Sequence, residues 1–420
     1  MGFSPWSDEW ETILLIKTIL APNHKRHRPG GRWRREGVFA HALNHGEEVM
    51  TGIDAIVKIL KLEGVEFLSC FPHNILIDAA AQGGIRPILG RMERAVVNMA
   101  DGFSRISNGR RIGVCTVQAG PGIENAFSGV AQAFADSVPI LLLPGQADRR
   151  RLGVQPNFDA VKNYQGVTKW VDRINFADRV PEMMRRAFTC LRTGRPGPVM
   201  LEVPEDVAKE EFDDDAFHYT PVKATKSAGD PHDIEKVAKS LLAAATPLIH
   251  AGQGILYAQA WDELQELAEL LQAPVMTTLA GKSAFPENHP LSVGMGANTT
   301  TLAAHHFLEK SDLVFGIGCS FARKPLAALI PSGTQMIQCT VDARDLNKEY
   351  SIDQIIIGDA KLVLAQLIEE IRKQAGADGR RRDDSKAREI KTVREAWLAE
   401  WMPKLTSDEV PINPYRVIWD

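Results

Sequence analysis

Apolar and polar residues follow two different periods along the chain, one typical of helices and one typical of buried strands. Residues 53–62 (IDAIVKILKL) have apolar side chains at helical spacing, and Gly64 follows as a helix C-terminal signal. Residues 112–117 are rich in β-branched residues and lie between turn signals, which predicts a buried strand. Alternating strands and helices indicate βαβ units, so the pattern predicts an α/β fold with parallel sheets.

Further elements of both kinds are predicted on either side of a polar, acidic segment at 210–230, which is typical of a linker. Before it we predict helices over 75–81, 93–107 and 124–134, and strands over 65–71, 87–89, 139–143 and 199–203. After it we predict helices over 234–244, 258–271 and 360–373, and strands over 247–250, 274–277, 313–317 and 335–341. The chain is therefore expected to form two doubly wound parallel-sheet domains.

The two ends of the chain differ from this pattern. Residues 1–49 contain three of the eight Trp and a dense basic stretch, and we predict a poorly ordered extension there. The first domain is predicted over 50–209 and the second over 231–373. A charged linker is predicted over 374–388, and residues 389–420 are predicted to contain a helix and the start of another domain.

The composition excludes several classes of protein. The chain has 420 residues, of which 44% are hydrophobic and 24% charged, with a formal net charge of −4 at pH 7. These values are typical of a globular protein and give no electrostatic footprint for nucleic acid. No apolar run approaches the ~20 residues of a membrane span. The five Cys are scattered without a CxxC pair, which favours reduced thiols and a cytoplasmic location.

Few residues carry a chemical signal by themselves. The chain has no HExxH, Walker A or GxSxG motif. Gly252-Gln253-Gly254 follows a predicted strand and is either part of a dinucleotide-binding turn or a tight βα turn. Glu93 lies at the start of a mostly apolar predicted helix, where an acidic side chain either interacts favourably with the helix dipole or serves a site.

Six segments, in order, favour a role for Glu93 in a site. They are RMERAVVNMADGFSR (91–105), QAGPGIENAFSGVAQAFADSVPILLLPGQ (118–146), GRPGPVMLEVPEDV (194–207), APVMTTLAGKSAFPENHPLSVGM (273–295), SDLVFGIGCSF (311–321) and the segment 338–342. Through them, residues 50 to about 373 resemble the thiamine-diphosphate-dependent family that includes acetolactate synthase, oxalyl-CoA decarboxylase and benzoylformate decarboxylase. The resemblance implies a pyrimidine-binding domain followed by a central domain with a six-stranded sheet.

The resemblance also implies a cofactor site in the first domain. Glu93 matches the glutamate that activates the cofactor by hydrogen bonding to N1′ of its aminopyrimidine ring. The loop with Pro72 matches the segment that packs over this ring. The family usually has FGxPG there, so His73 is either an acid/base group or a surface residue.

Two further segments are implied to contact the cofactor. Gly120-Pro121-Gly122 would let the backbone approach the cofactor closely, because glycine has no side chain. Gln146 follows a predicted buried strand and is expected either to face a ligand or to be satisfied within the protein. No metal ligand is predicted in this chain.

The chain also departs from the acetolactate synthase pattern. Glu205 stands where those enzymes usually have a lysine, and this reversed charge disfavours both a 2-oxo acid and an FAD phosphate nearby. The family's third domain holds Mg²⁺ and the diphosphate through a GDG motif and a later Asn, and that combination is not found here. Asp101-Gly102 falls in the first domain and Asp378-Gly379 in the charged linker.

The resemblance therefore predicts the N-terminal two-thirds of a decarboxylase or carboligase that acts on a 2-oxo acid or acyl-CoA, as a homodimer or homotetramer. Thiamine diphosphate is the predicted cofactor, and FAD is the weaker alternative. The second hypothesis is a non-catalytic or split-enzyme subunit whose partner chain carries the diphosphate-binding domain. The third is a flavin or nicotinamide protein that uses the central domain.

Overall fold

The computed structural model describes residues 49–213, 215, 217–296, 300–323, 328–380 and 383–420. The extension predicted over 1–49 lies outside these residues, apart from Val49. No helix in the described ranges is both long enough and apolar enough to cross a bilayer.

The first part of the chain forms a parallel sheet that helices flank on both faces. The strands of this sheet are β2 (Phe67–Phe71), β3 (Arg86–Leu89), β4 (Gly113–Val117), β5 (Ile140–Leu142), β6 (Gly145–Gln146), β7 (Trp170–Arg173) and β8 (Val199–Pro204). Two further strands, β1 (Met50–Thr51) and β9 (Glu211–Phe212), form a separate antiparallel pair. Its helices are α1 (Gly52–Leu62), α2 (Ile75–Gln82), α3 (Glu93–Ile106), α4 (Pro121–Ala135), α5 (Ala160–Tyr164), α6 (Val180–Arg192) and α7 (Glu205–Lys209). The strand order is β3-β2-β4-β5-β8-β6, and β7 also pairs with β8.

The alternation of side chains along β4 explains why both faces of this sheet are covered. Val114 belongs to a core that includes residues of α1, α2 and α6. Cys115 and Val117, whose side chains point to the other face of the sheet, belong to a second core with residues of α3 and α4. Because successive side chains of a strand point to opposite faces, a strand that is apolar throughout must be buried on both sides.

The second part of the chain forms a six-stranded sheet, also parallel throughout. Its strands are β10 (Pro247–Ala251), β11 (Val275–Thr277), β12 (Ser292–Met295), β13 (Leu313–Ile317), β14 (Gln335–Thr340) and β15 (Gln354–Ile357), in the order β12-β11-β10-β13-β14-β15. Its helices are α8 (Pro231–Ala243), α9 (Gly254–Ala258), α10 (Trp261–Leu271), α11 (Leu302–Lys310) and α12 (Ala360–Ala375). Two more helices follow, α13 (Ser385–Leu405) and α14 (Pro414–Trp419). The predicted class, two parallel α/β sheets with flanking helices, is confirmed.

One predicted helix is wrong in its extent. The helix expected over 258–271 begins only at Trp261, as α10, because the separate helix α9 ends at Ala258 and the chain breaks at Gln259. Gln259 has a left-handed backbone with φ 56°, and the N–H of Ala260 returns to the carbonyl of Ile255. A residue with a left-handed backbone ends a helix, and this position is usually Gly or Asn. Because it is a glutamine here, the sequence did not indicate the break.

The topology of the first sheet creates a crevice at one edge. From β2 the chain crosses to β3 on one side, and it then returns to β4 on the other side of β2. The loops that leave β2 and β4 therefore diverge at the carboxyl ends of these strands. Such a switch point is where open α/β sheets bind ligands.

Candidate functional site

The structure brings the predicted site residues of the first domain to the same edge of its sheet. Pro72 and His73 follow β2, Glu93 follows β3 after a three-residue loop, and Gly120 follows β4. Gln146 is the last residue of β6. Since these strands are parallel, their carboxyl ends share one edge, and the crevice between β2 and β4 opens there.

Glu93 is the first residue of α3 and is only 9% exposed. Its carboxylate forms no hydrogen bond or ion pair with any residue that the structure describes. The residue before it, Met92, has no side-chain cap and is itself exposed. The start of the helix favours a negative charge, which stabilises the carboxylate at this position. Both of its oxygens are therefore available as hydrogen-bond acceptors.

The Gly120 turn gives this edge an accessible backbone. Gly120 has φ 61° and ψ −115°, a conformation that residues with a side chain rarely adopt, and a Cβ there would meet open space. Pro121 then starts α4, where its missing N–H costs nothing. A Cβ on Gly122 would lie 2.8 Å from Cγ of Gln118, so this second glycine is needed for packing within the turn.

Asn74 is a site residue that the motif analysis did not single out. Its Oδ1 accepts a hydrogen bond of 2.9 Å from the N–H of Leu76 and thereby caps α2. Its Nδ2 donates a hydrogen bond of 3.0 Å to the carbonyl of Val117, at the end of β4. The position of an Asn just before an apolar helical run was a signal for the cap, but nothing local indicated the second bond.

Pro72 and His73 are both exposed in the loop after β2. Their position beside the crevice is compatible with each of the roles considered for His73, an acid/base group or a surface residue. An acid/base role for His73 stays a prediction.

Gln146 lies at the same sheet edge but its amide is engaged within the protein. Its Nε2 donates to Oε1 of Glu202 at 2.5 Å and to the carbonyl of Phe158 at 3.1 Å, and its oxygen accepts from the N–H of Ala147. Glu202 is fully buried and pairs with Arg173, and burial raises the pKa of this carboxyl group. Contact of Gln146 with a cofactor stays a prediction, and it requires that one of these bonds be exchanged.

A separate cavity of about 1620 Å³ lies away from these residues, with His250, Tyr257 and Cys319 in its lining. The glycines of the Gly252-Gln253-Gly254 turn lie beside it, but they pack against another turn. A Cβ on Gly252 would lie 2.2 Å from the carbonyl oxygen of Gly318. A Cβ on Gly254 would lie 2.6 Å from the Cα of Gly318. This close packing of two turns accounts for both glycines, so the turn does not indicate a dinucleotide.

No cluster of three or more His, Cys, Asp or Glu side chains in the described part of the chain is arranged to hold a metal ion. The site built from the described residues is therefore a carboxylate and a glycine turn at a sheet edge.

Comparison with known proteins identifies the family. The model of the thiamine pyrophosphate enzyme N-terminal TPP binding domain matches residues 50–169, and the model of the thiamine pyrophosphate enzyme central domain matches residues 234–367. The chain belongs to the thiamine pyrophosphate enzyme family. Glu93 and the Gly120 turn both lie within the match to the TPP binding domain.

Relatives in this family include named enzymes. Glyoxylate carboligase of Escherichia coli O157:H7 is 33% identical over 386 residues, which are 88% of this chain and 63% of that protein. The acetolactate synthase large subunit of Buchnera aphidicola subsp. Schizaphis graminum is 31% identical over 396 residues, 88% of this chain and 66% of that protein. The chain thus spans less than two thirds of the length of these relatives.

A solved structure supports the fold. The crystal structure of benzoylformate decarboxylase from Polynucleobacter necessarius superposes with a TM-score of 0.70 at 24% identity, and it covers 80% of this chain and 63% of that one. At this level of identity the likeness concerns the arrangement of the two thiamine pyrophosphate enzyme domains, and it agrees with the two parallel sheets described above.

Proposed function

We propose that the crevice beside β2, β3 and β4 binds the aminopyrimidine ring of thiamine diphosphate, as part of a decarboxylase or carboligase of the acetolactate synthase type acting on a 2-oxo acid. The observation that carries the proposal is the nearly buried carboxylate of Glu93, which has no partner among the described residues. A ligand nitrogen that shares a proton with this carboxyl group would supply the hydrogen-bond partner that no described residue provides.

The groups of the crevice have separate tasks in this proposal. Glu93 holds and moves a proton at N1′ of the ring, and Gly120 leaves the backbone open to the face of the ring. When bound, thiamine diphosphate supplies the electron sink for making or breaking a bond next to a carbonyl group. His73 is proposed as an acid/base group near the reacting atoms, because it is exposed in the loop after β2.

We place the diphosphate and Mg²⁺ in a further domain or in a partner chain. More than a third of glyoxylate carboligase has no counterpart in the region matched here, which leaves room for such a domain in the relatives. A homodimer or homotetramer in a cytoplasmic location completes the proposal. FAD stays the weaker alternative cofactor, since no described feature of the large cavity favours it.

The proposal is tested by a single substitution, Glu93→Gln. The chain is supplied with the diphosphate-binding domain of a relative, thiamine diphosphate and Mg²⁺. Exchange of the thiazolium C2 proton for deuterium is then followed by NMR. Proton transfer by a positioned side chain contributes about 10²–10⁴-fold, so we expect Glu93→Gln to slow the exchange by that factor.

The matched control is Glu124→Gln, which changes an exposed acid in the first turn of α4. It is expected to leave the exchange rate unchanged. If Glu93→Gln exchanges as fast as the wild type while bound to the cofactor, Glu93 is not the activating group and the proposed site is wrong.

A further inference from the structure

We propose that Asn74 is a positioning residue that sets the width of the crevice, an inference that rests on the proposed thiamine site. Its side chain ties the loop that carries Pro72 and His73 to the end of the strand that leads to Gly120. These two segments form opposite sides of the crevice, so the tie determines how closely both can contact a ring between them.

Both ends of the Asn74 carboxamide are used, and they point to different parts of the fold. The oxygen caps α2 within its own loop, at 2.9 Å from the N–H of Leu76. The amide nitrogen reaches Val117, 43 residues further along the chain, at 3.0 Å. A carboxamide is the side-chain group that combines an acceptor and a donor in this way, and a carboxylate or a hydroxyl at this position cannot reproduce both bonds.

The tie lies where the sheet itself stops holding the two strands together. The paired register of β2 and β4 ends at Phe71 and Val117. The next residue on the β2 side is Pro72, which has no backbone N–H with which to extend the ladder. Beyond this point the two loops diverge, and the bond from Asn74 to Val117 joins them across the switch point.

The first residue of a third strand, β6, limits the freedom of the Asn74 side chain. A Cβ on Gly145, in β6, would lie 3.2 Å from Nδ2 of Asn74 and 3.6 Å from the N–H nitrogen of Ala119. The carboxyl ends of β2 and β4 and the start of β6 therefore converge on the Asn74 amide with little spare volume. A side chain held by two hydrogen bonds and a close backbone can transmit its position to both loops.

The variants that separate the two bonds are Asn74→Ser and Asn74→Asp. Each keeps an oxygen that can cap α2, because Ser and Asp are both good N-cap residues. Neither can donate to Val117 at neutral pH, since serine is too short and the aspartate carboxylate has no proton. Asn74→Ala loses the cap and the tie together.

The experiment supplies each variant with the same diphosphate-binding domain of a relative and titrates it with thiamine, the unphosphorylated compound. Ligand-observed NMR gives the dissociation constant, and calorimetry of the variant chain gives the melting temperature. Without the tie, binding must restore the width of the crevice at the expense of about one hydrogen bond, which corresponds to about a 3- to 10-fold weaker affinity. We expect all three variants to bind thiamine about 3- to 10-fold more weakly than the wild type. We expect Asn74→Ala to melt lowest. The two cap-retaining variants should recover the part of the melting temperature that the cap contributes, but not the affinity.

The control is Asn413→Ser, because Asn413 caps α14 in the same way, with Oδ1 at 2.9 Å from the N–H of Tyr415. It is expected to bind thiamine like the wild type. If Asn74→Ser and Asn74→Asp recover both melting temperature and affinity, Asn74 is only a helix cap and the inference is wrong, while the thiamine site stands. If the wild type does not bind thiamine, or if Glu93→Gln binds it equally well, the proposed function itself fails.

Discussion

Arg195 and Asp345 form an ion pair between the two sheets' domains, with Nη1 of the arginine 2.5 Å from Oδ1 of the aspartate. Arg195 follows α6, and its Nε also donates to the hydroxyl of Ser137 at 2.8 Å. Asp345 ends a short 3₁₀ turn after β14, and its side chain is 8% exposed. Lys348 is a second cation on the same carboxylate. A nearly buried aspartate thus holds the first domain against the second.

Replacing this aspartate should weaken the whole chain. Asp345→Asn leaves the guanidinium of Arg195 and the ammonium of Lys348 without their shared counter-charge. A hydrogen bond to a charged group contributes about 1.5–3 kcal/mol, and partial exposure of Arg195 favours the lower half of that range. Urea unfolding should show this loss. Asp408→Asn is the control, because Asp408 is exposed and pairs with Arg416 only eight residues away. Equal losses for both variants would contradict a linking role for Asp345.

A methyl group added at Gly120 should destabilise the protein through backbone strain and not through a steric clash. Gly120→Ala meets no atom within 4 Å, but it forces a side chain onto a φ of 61° with ψ −115°. Conformations of this kind cost about 1–3 kcal/mol for a residue other than glycine. Gly102→Ala is the opposite control, since Gly102 lies inside α3 with open space around it and alanine favours a helix. Chemical unfolding should show a lower free energy of unfolding for Gly120→Ala and a free energy about 0.4–1 kcal/mol higher for Gly102→Ala. An unchanged free energy of unfolding in Gly120→Ala would show that the turn relaxes to a conformation without strain.

Much of the fold could be predicted from local pattern because its main strands are buried on both faces. Strand β13 has the predicted bounds, and β4, β8 and β10 differ from prediction by a residue at one end. Strand β7 was not predicted. All four of its residues, which include Asp172 and Arg173, are only half-buried, so it has neither an apolar run nor a clear alternation.

The site was predictable only in part, for a physical reason. Glu93 and Gly120 stand in motifs of neighbouring residues, and their positions at strand ends followed from the order of elements. The bonds of Asn74 to Val117 and of Gln146 to Glu202 join residues 43 and 56 positions apart. Such contacts depend on strand order and register, which local periodicity does not specify.

His250 should make the stability of the protein depend on pH. It is 8% exposed, its ring packs edge-on against Phe321, and neither ring nitrogen has a partner in the described part of the chain. Burial lowers its pKa to about 4, whereas an unfolded histidine has a pKa of about 6.5.

Because the folded pKa is the lower one, the unfolded chain takes up the proton first as the pH falls. Stability is therefore lost from about pH 6.5 down to about pH 4, and the loss between pH 7.5 and 5.0 should be about 2 kcal/mol. Urea unfolding at these two pH values should show this difference. His250→Leu should reduce the difference by that amount, while His305→Leu, at an exposed position, should leave it unchanged. An undiminished pH dependence in His250→Leu would mean that this histidine finds a proton partner in solution, such as a water molecule or a ligand in the large cavity.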